Sequence, residues 1–575
     1  MCEIGIMFFT ITYPSLLYRS RISVDNSVYT TIFLHYITFV VIFTVDKQQI
    51  TIFIPLVPKK TVKDRILFWL DNGLVYYGIA YFLNKQHDCE LFGIVDNSQG
   101  KTKKFFKTQK LAPFKKIWYF YDYAGEIQNK EPDMEYLSSV EKKYEINIWL
   151  MAYAERFFHQ RNTGGRGYHK FTRNEILSLF ENELRFYEQV LDEVNPDFII
   201  MRDVDIHHVN LLHEICKARG IKILSIVDVK MGSKWIISDT DKMDYDPMDL
   251  KRIPKSQRSF DQLQKYLKEF SQADWVKEWV TSSKINFLNS KILHSLFDEF
   301  VLKDKAEREE FMRIGRTGTK VFFSTISLIL KRKYRYSFLT RYSKREIKNN
   351  EKFVFFPLHV QPERYIDISA PFFSNQLELV TSIAKSLPPE YKLYVKEHFA
   401  MKPLYWRKTS FYKEILALPN VELIHPSFSP DEIIKKSSLV ISITGTSALQ
   451  AAFYEKPSIV LAHTIYKEFH PSIRRVKNLE ELPNAIRSAL KTKVDAMDLN
   501  RYIEIIEKES FKYNPHIFDN ESNPVFKTLF SDVDISESKM KTFLNHNSKT
   551  FEMLASEHIK KIKQEYPKYT TSNTK

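Results

Sequence analysis

The sequence predicts an α/β protein built on doubly wound parallel sheets. Three observations carry that reading. From residue 353 to 462, short apolar runs alternate with amphipathic segments in the order β-α-β-α-β-α-β-α-β, a pattern that specifies parallel strands joined by right-handed helical crossovers. Residues 197–229 repeat it once: DFIIMRDVD, a helical segment over His208 to Arg219, Gly220, and IKILSIVDV. The stretch Ser437 to Ala462, SSLVISITGTSALQAAFYEKPSIVLA, reads as strand, tight turn, helix and strand. Its first apolar run, Leu439 to Ile443, ends in Thr444-Gly445-Thr446. The chain holds only 14 glycines in 575 residues, so Gly445 marks a backbone that needs positive φ or close approach. Ser447 and Gln450 have capping-box spacing, as N-cap and N3. Such a turn would aim free backbone N–H groups and the positive helix end at one point beyond the strand, a site suited to phosphate. A helix start with nothing bound is the alternative.

A chain of 575 residues is long enough for two or three domains, each with its own core. Hydrophobic content of 44% and charged content of 27% are those of a soluble globular protein. The net charge of +15 points to an acidic partner: a phosphorylated substrate, an anionic membrane surface or nucleic acid. A basic solvated face is the alternative for any one cluster. Cys2, Cys89 and Cys216 are too far apart for a CxxC metal site, and an odd number argues against a disulfide framework, so a reducing, cytoplasmic compartment is expected. No run reaches the roughly 20 apolar residues of a membrane span. Thr30 to Val45 comes nearest, interrupted by His35 and Tyr36. The N-terminus lacks a basic region and Pro14 breaks its apolar stretch, which makes a poor signal peptide.

Taken in order, residues 1–48 are apolar and aromatic without clear periodicity, open to reading as an extra β element, a membrane-surface anchor or an extension outside the fold. ITIFIPLV (50–57) reads as a buried strand. Lys59 to Lys85 has helical apolar spacing at Ile66, Trp69, Leu70, Leu74 and Tyr77. CELFGIV (89–95) is the next strand, 101–116 a basic loop, and KIWYFYDY (116–123) a further strand. INIWLMAYAERFF (146–158) fits strand or helix. The densest glycine cluster follows, Gln160 to Tyr168, where Arg161 and Arg166 suggest a cationic, ligand-facing loop against the alternative of a plain surface loop. A long helix, Arg173 to Val194, is closed by Asn195-Pro196, since proline cannot continue it. Gly220 stands where a helix C-cap glycine belongs. Arg202, Asp203, Asp205 and His207 lie at the C-terminal end of a strand, the side where such units bind ligands. Asp203-Val204-Asp205 is also a DxD tripeptide of the kind some sugar transferases use to hold a metal, although a three-letter match is weak and satisfied turn carboxylates explain it better. Residues 240–345 are helical in pattern, and the basic, tyrosine-rich stretch 331–352 is expected to be a domain boundary, solvated or touching anionic lipid. No helix-turn-helix, zinc-finger or RNP pattern accompanies it, so nucleic acid is not the expected partner.

In the second sheet three strand ends should converge: Gln361-Pro362-Glu363, Lys396-Glu397-His398 and Thr444-Gly445-Thr446-Ser447. As a set they suit an anionic ligand, with Lys396 as point charge, His398 as donor or acid and the last turn as a source of backbone amides. The competing readings make Lys396 a surface charge, Glu397 its neutralising partner and His398 a satisfied strand-end histidine. GxGxxG after a strand, GxxxxGK[ST] and HExxH are all absent, which argues against dehydrogenase, P-loop ATPase and zincin readings.

FVFFPLHVQPE (353–363), LPPEYKLYVKEH (387–398), FYKEILALPNVELIHPS (411–427), LVISITGTSALQAAFYEKPSIVLA (439–462) and RVKNLEELPNAI (475–486) resemble the capsular polysaccharide biosynthesis proteins of the KpsC/KpsS type, a group that includes the Kdo transferases of bacterial capsules. The likeness is strong over about 353–485 and only general before 350. It implies a GT-B-like architecture of two Rossmann-like domains facing a cleft, and a metal-independent transfer from a CMP-activated sugar. The family's QP motif matches Gln361-Pro362, and its KEHP motif matches Lys396-Glu397-His398 with Phe399 in place of the proline. Gln450 stands where the family has Glu, which puts the donor or the activity in question. The implied organisation is an N-terminal extension (1–48), an acceptor-side domain with a helical insertion (49–345, insertion about 240–345), a nucleotide-sugar domain (346–490) and a helical tail (491–575).

The resulting expectation is a cytoplasmic glycosyltransferase, at the inner face of the cell membrane, with no cofactor or metal beyond its nucleotide-sugar co-substrate and a glycan or lipid-linked acceptor. Lys396 and His398 would stabilise the leaving phosphate. Asp203, Asp205 and Glu155 are the candidate bases. A nucleotide-sugar epimerase of the same fold and a non-catalytic glycan- or lipid-binding relative are the alternatives.

Overall fold

The computed structural model describes residues 63–575 apart from 72–73, 98–99, 125–129, 156–157, 159–169, 205, 240–257, 270–317, 349, 399–400, 402–406, 465, 467–471, 515–534 and 566–575; before residue 63 it describes the backbone of four strands. Those strands, β1 (Tyr18–Val24), β2 (Ser27–Leu34), β3 (Ile37–Phe43) and β4 (Thr51–Phe53), form an antiparallel sheet in sequential order. They belong to a compact unit of their own, Met1–Lys63. The β element is thus the reading of residues 1–48 that the structure bears out. Of the expected strand 50–57, Thr51–Phe53 is a strand that pairs with β3, and the rest lies outside the described residues.

The unit Asp64–Lys575 holds two doubly wound sheets. The first contains β5 (Asp64–Leu70), β6 (Cys89–Val95), β7 (Phe114–Tyr119), β8 (Phe198–Met201), β9 (Lys222–Asp228) and β10 (Lys234–Ser238), ordered β10-β9-β8-β5-β6-β7. All pairs are parallel except β10 with β9. The expected helix over 59–85 is a correction: Asp64–Leu70 is the central strand and helix Val75–Gln86 follows it. Every residue of DRILFWL except Arg65 is buried. A strand covered on both faces needs apolar residues at successive positions, and such a run also satisfies helical spacing. The basic segment expected as a loop is helical over Gly100–Thr108, and KIWYFYDY leaves the sheet at Tyr119. The ambiguous run 146–158 contains helix Ile148–Ala154, whose N-cap Asn147 accepts from the Leu150 N–H at 2.7 Å. Helix Arg173–Val194 has its expected bounds, started by a reciprocal Thr172–Glu175 capping box. Gly220 closes helix His207–Ala218 at φ +72°, the left-handed geometry its position predicts.

The second sheet contains β11 (Phe353–Pro357), β12 (Lys392–Lys396), β13 (Val421–Ile424), β14 (Leu439–Ser442), β15 (Ser458–Val460) and β16 (Ile473–Arg475), all parallel, ordered β13-β12-β11-β14-β15-β16. The chain reverses direction across the sheet between β11 and β14, the switch point where open α/β sheets bind ligands. The first part of the basic stretch 331–352 forms the end of helix Gly318–Tyr342. It is tied to the sheet where the Lys344 N–H meets the Leu423 carbonyl at 2.7 Å.

The chain then returns to the first sheet. Strand β17 (Phe511–Lys512) pairs antiparallel with β10, and helix Ser548–Glu565 lies on helix Val75–Gln86. Gly78 permits that contact: a Cβ there would lie 2.2 Å from Phe551 Cε1. The switch points of the two sheets face each other. Tyr365, following β11, donates its hydroxyl to Asp203 Oδ2, following β8, at 3.1 Å. Among the described residues no helix is long and apolar enough to cross a membrane.

Candidate active site

Lys396 is the last residue of β12, and its side chain is 4% exposed. Side chains alternate across a strand, so Glu397 turns away from it. Glu397 accepts from the Arg407 guanidinium, from Tyr412 Oη at 2.6 Å and from the His398 N–H at 2.7 Å. The reading of Glu397 as the partner that neutralises Lys396 is therefore corrected: among the described residues Lys396 has no ion pair within 4 Å. Burial pushes its ammonium down to about 8, partly offset by the Glu397 charge. His398 is half-buried beside it, and desolvation takes its imidazole down to about 4 against the pull of Glu397, with Lys396 and Arg407 lowering it further. At neutral pH His398 is thus an uncharged hydrogen-bonding group and not an acid.

The other two strand ends meet this one through His359, which the sequence reading passed over. His359 follows β11 at the switch point. Its N–H donates to Gln376 Oε1 at 2.8 Å, and its carbonyl accepts from Arg407 and from Gln376 Nε2. Its Nε2 lies 3.2 Å from Ser442 Oγ at the end of β14, and its buried Nδ1 has no hydrogen-bond partner. Burial, with His398 and Arg407 nearby, holds the ring neutral at about 3. A histidine in an apolar strand gives little signal of its own, and Arg407 lies ten residues along the chain from the carboxylate it pairs with.

Gln361 turns inward. It donates to Asp367 Oδ1 and the Ser374 carbonyl, both at 2.8 Å, and accepts from Gln376 at 3.1 Å, so it shapes the turn that carries the site. The Gln361–Pro362 peptide is cis. Glu363 donates its N–H to Asp367 and starts the short helix Arg364–Asp367.

Of the two reasons for Gly445, close approach holds and positive φ does not. A Cβ would lie 2.8 Å from Ser442 Oγ and 3.0 Å from His359 Nε2. Its N–H donates to Ser442 Oγ at 2.9 Å, and its carbonyl accepts from Tyr466 Oη at 2.7 Å. The expected capping box does not form. Thr446 is the N-cap, already at helical φ −60° and ψ −14°, so helix Ser447–Phe453 contains Ser447 and denies it the extended backbone that a capping side chain needs. Thr444, Thr446, Ser447 and Gln450 are all half-buried around this turn.

Across from these groups stands the first sheet. Asp203 Oδ1 accepts from the Val204 N–H at 2.8 Å while Oδ2 accepts from Tyr365. Glu155 is buried, and its Oε2 accepts from the His207 N–H at 3.0 Å and lies 3.1 Å from His207 Nδ1. His207 Nε2 meets Glu183 Oε1 at 2.9 Å. Against the desolvation of burial, the two carboxylates push His207 up to about 10, an imidazolium between two acids. Glu183, His207 and His208 have ligating atoms within 4.8 Å of one another, but both His207 nitrogens are already engaged by carboxylates. Glu155, His207, Asn210 and Arg364 line a small cavity between the two sheets. Arg166, Asp205 and Phe399 lie outside the described residues.

Residues 309–494 match the family model described as capsule polysaccharide biosynthesis protein, a span that takes in the whole second sheet. No curated protein matches the chain. Among solved structures, the chain is similar to KpsC of Thermosulfurimonas dismutans, a beta Kdo 2,7 transferase, at 12% identity over 55% of this chain and 79% of that one, with a TM-score of 0.26. It is also similar to the UDP-GlcNAc 2-epimerase of Methanocaldococcus jannaschii, at 14% identity over 77% of this chain and 99% of that one, with a TM-score of 0.22. Through residues 309–494 the chain is similar to the capsule polysaccharide biosynthesis family.

Proposed function

We propose that the protein is a glycosyltransferase of surface or capsular polysaccharide synthesis, moving a sugar from a nucleotide-activated donor to a glycan or lipid-linked acceptor. The family resemblance favours a CMP-sugar. The observation that carries the reading is Lys396, a buried ammonium without a counter-ion among the described residues, beside the β11–β14 switch point. An uncompensated buried charge is costly, and a phosphate is its natural complement. Charge grows on that phosphate as the sugar leaves, so Lys396 stabilises the transition state more than the ground state. The turn Thr444–Ser447 supplies backbone donors, and His398 a neutral hydrogen bond. The Glu397–Arg407 pair and the His359–Gln376 network hold these groups in place. Because Lys396 provides the cation, the reading calls for no metal. The acceptor hydroxyl enters from the first sheet and needs a base. Asp203, at that sheet's switch point, is the better placed candidate, since Glu155 is engaged with His207. A face on the membrane suits a lipid-linked acceptor.

Lys396→Ala and His398→Ala are expected to lower transfer at least about a hundredfold with the circular dichroism spectrum unchanged. Wild-type turnover in both refutes the site. A thermal-shift comparison of CMP, UDP and GDP reports the donor class, because a ligand of the native state raises the melting temperature. If no nucleotide raises it, a non-catalytic relative is the better reading. A new sugar product from the nucleotide sugar alone makes the protein an epimerase.

A further inference from the structure

We propose that the outer face of helix Gly318–Tyr342 docks the protein on an anionic lipid surface. Phe323 is 70% exposed, Leu330 63% and Tyr334 61%. At 3.6 residues per turn these three and exposed Arg341 fall within about 40° of one another around the helix. Lys331 and Lys333, both exposed, stand about 80° to either side of that stripe. Leu339, on the opposite side, is fully buried against the second sheet. Neither lysine nor Arg341 forms an ion pair with a carboxylate among the described residues. An exposed apolar stripe flanked by unpaired lysines fits the boundary between lipid headgroups and acyl chains. The stripe enters the acyl edge, and the lysine stems reach back to the phosphates.

Charge complementarity commits the face to lipid: a chain of net charge +15 is drawn to an anionic leaflet, and the lysines are placed where the headgroups would be. Leu330 argues against single-stranded nucleic acid, whose bases stack on aromatic rings. The helix also leads to the candidate site. Thr340 Oγ1 lies 3.4 Å from His425 Nε2, and the Tyr336 ring packs on His425, at the end of β13 where the Lys396 charge is felt. A bilayer under this face would bring a lipid-linked acceptor to the ligand side of the second sheet. That purpose rests on the glycosyltransferase reading; the docking itself does not.

The test is co-sedimentation of the full chain with vesicles of equal phosphatidylglycerol and phosphatidylcholine, against phosphatidylcholine alone. Wild type is expected to bind only the anionic vesicles and to be released by high salt. Each lysine near the surface is worth about fivefold in partitioning, so K331E/K333E should bind at least about 25-fold less. L330S/Y334S should also lose most binding at unchanged charge. Tyr334→Trp adds a readout independent of folding: the fluorescence of the introduced indole shifts to the blue on anionic vesicles. Lys396→Ala is expected to bind like wild type, so intact docking together with undiminished transfer by Lys396→Ala counts against the transferase site alone. Equal binding by wild type and both face variants, or no blue shift from the Tyr334→Trp protein, overturns the proposal. So does a dimer that L330S/Y334S dissociates without vesicle binding, or retention of single-stranded nucleic acid in place of vesicles.

Discussion

Lys396 and Glu397 are adjacent in sequence but meet different surroundings. The carboxylate is saturated by Arg407, Tyr412 and a backbone N–H, while the ammonium is buried and has no ion pair among the described residues. With its pKa at about 8 instead of 10.5, the Lys396 charge costs the fold about 3 kcal/mol at pH 7. Lys396→Met keeps an unbranched chain and removes the charge, so it should raise the unfolding free energy by up to about 3 kcal/mol at pH 7 while abolishing function. The pH dependence has a definite sign. Between about 8 and 10.5 the unfolded lysine keeps its proton and the folded one has released it, so wild-type stability rises across that window and the advantage of Met shrinks. Urea titrations at pH 7 and 10 check both. A Met variant less stable than wild type at pH 7 would contradict the unpaired charge. At this scale the three strand-end motifs could be read from the chain. His359 and Arg407, which join them, could not, because their roles come from partners brought close only by folding.

Elements were legible where amphipathic periodicity was unambiguous. Helix Arg173–Val194 has the bounds its apolar spacing and Asn195-Pro196 predict, and β11 to β15 fall on their apolar runs. The failure at Asp64–Leu70 has one cause: continuous burial removes the alternation that distinguishes strand from helix. The pairing of helices is tested at Gly78. Alanine there gains about 1 kcal/mol of helix propensity in isolation, yet its methyl would meet Phe551 at 2.2 Å. Gly78→Ala is therefore expected to cost about 1–3 kcal/mol net, with faster amide exchange across 548–565, and Phe551→Leu should recover part of the loss. A Gly78→Ala protein as stable as wild type would show that the two helices can separate at no cost.

At the scale of the molecule, the polypeptide leaves the first sheet at β10, builds the second sheet and comes back to finish the first. Met540, Phe543, Leu544, Phe551, Leu554, Ala555, Ile559 and Ile562 belong to the core beside helix Val75–Gln86. Truncation after residue 535 should therefore unfold the first sheet and leave 353–490 as a protease-resistant core, read by limited proteolysis and a lowered first thermal transition. An unchanged single transition would mean that the returning helices contribute nothing. The Tyr365–Asp203 hydrogen bond is a second consequence of this path, since it joins two switch points about 160 residues apart in sequence.

The amino-acid sequence by itself determined the α/β class, most of the second sheet and the polar groups at its strand ends. Those features are local, written in apolar runs, turn residues and the step from strand to helix. Only the tertiary structure decided that Lys396 has no counter-ion among the described residues, that His359 stands between three strand ends, that Gly445 serves close approach, and that the C-terminal helices complete the first sheet. Each of these depends on which distant residue fills the space beside a side chain, and that space exists only once the crossovers have stacked the strands in the order β13-β12-β11-β14-β15-β16.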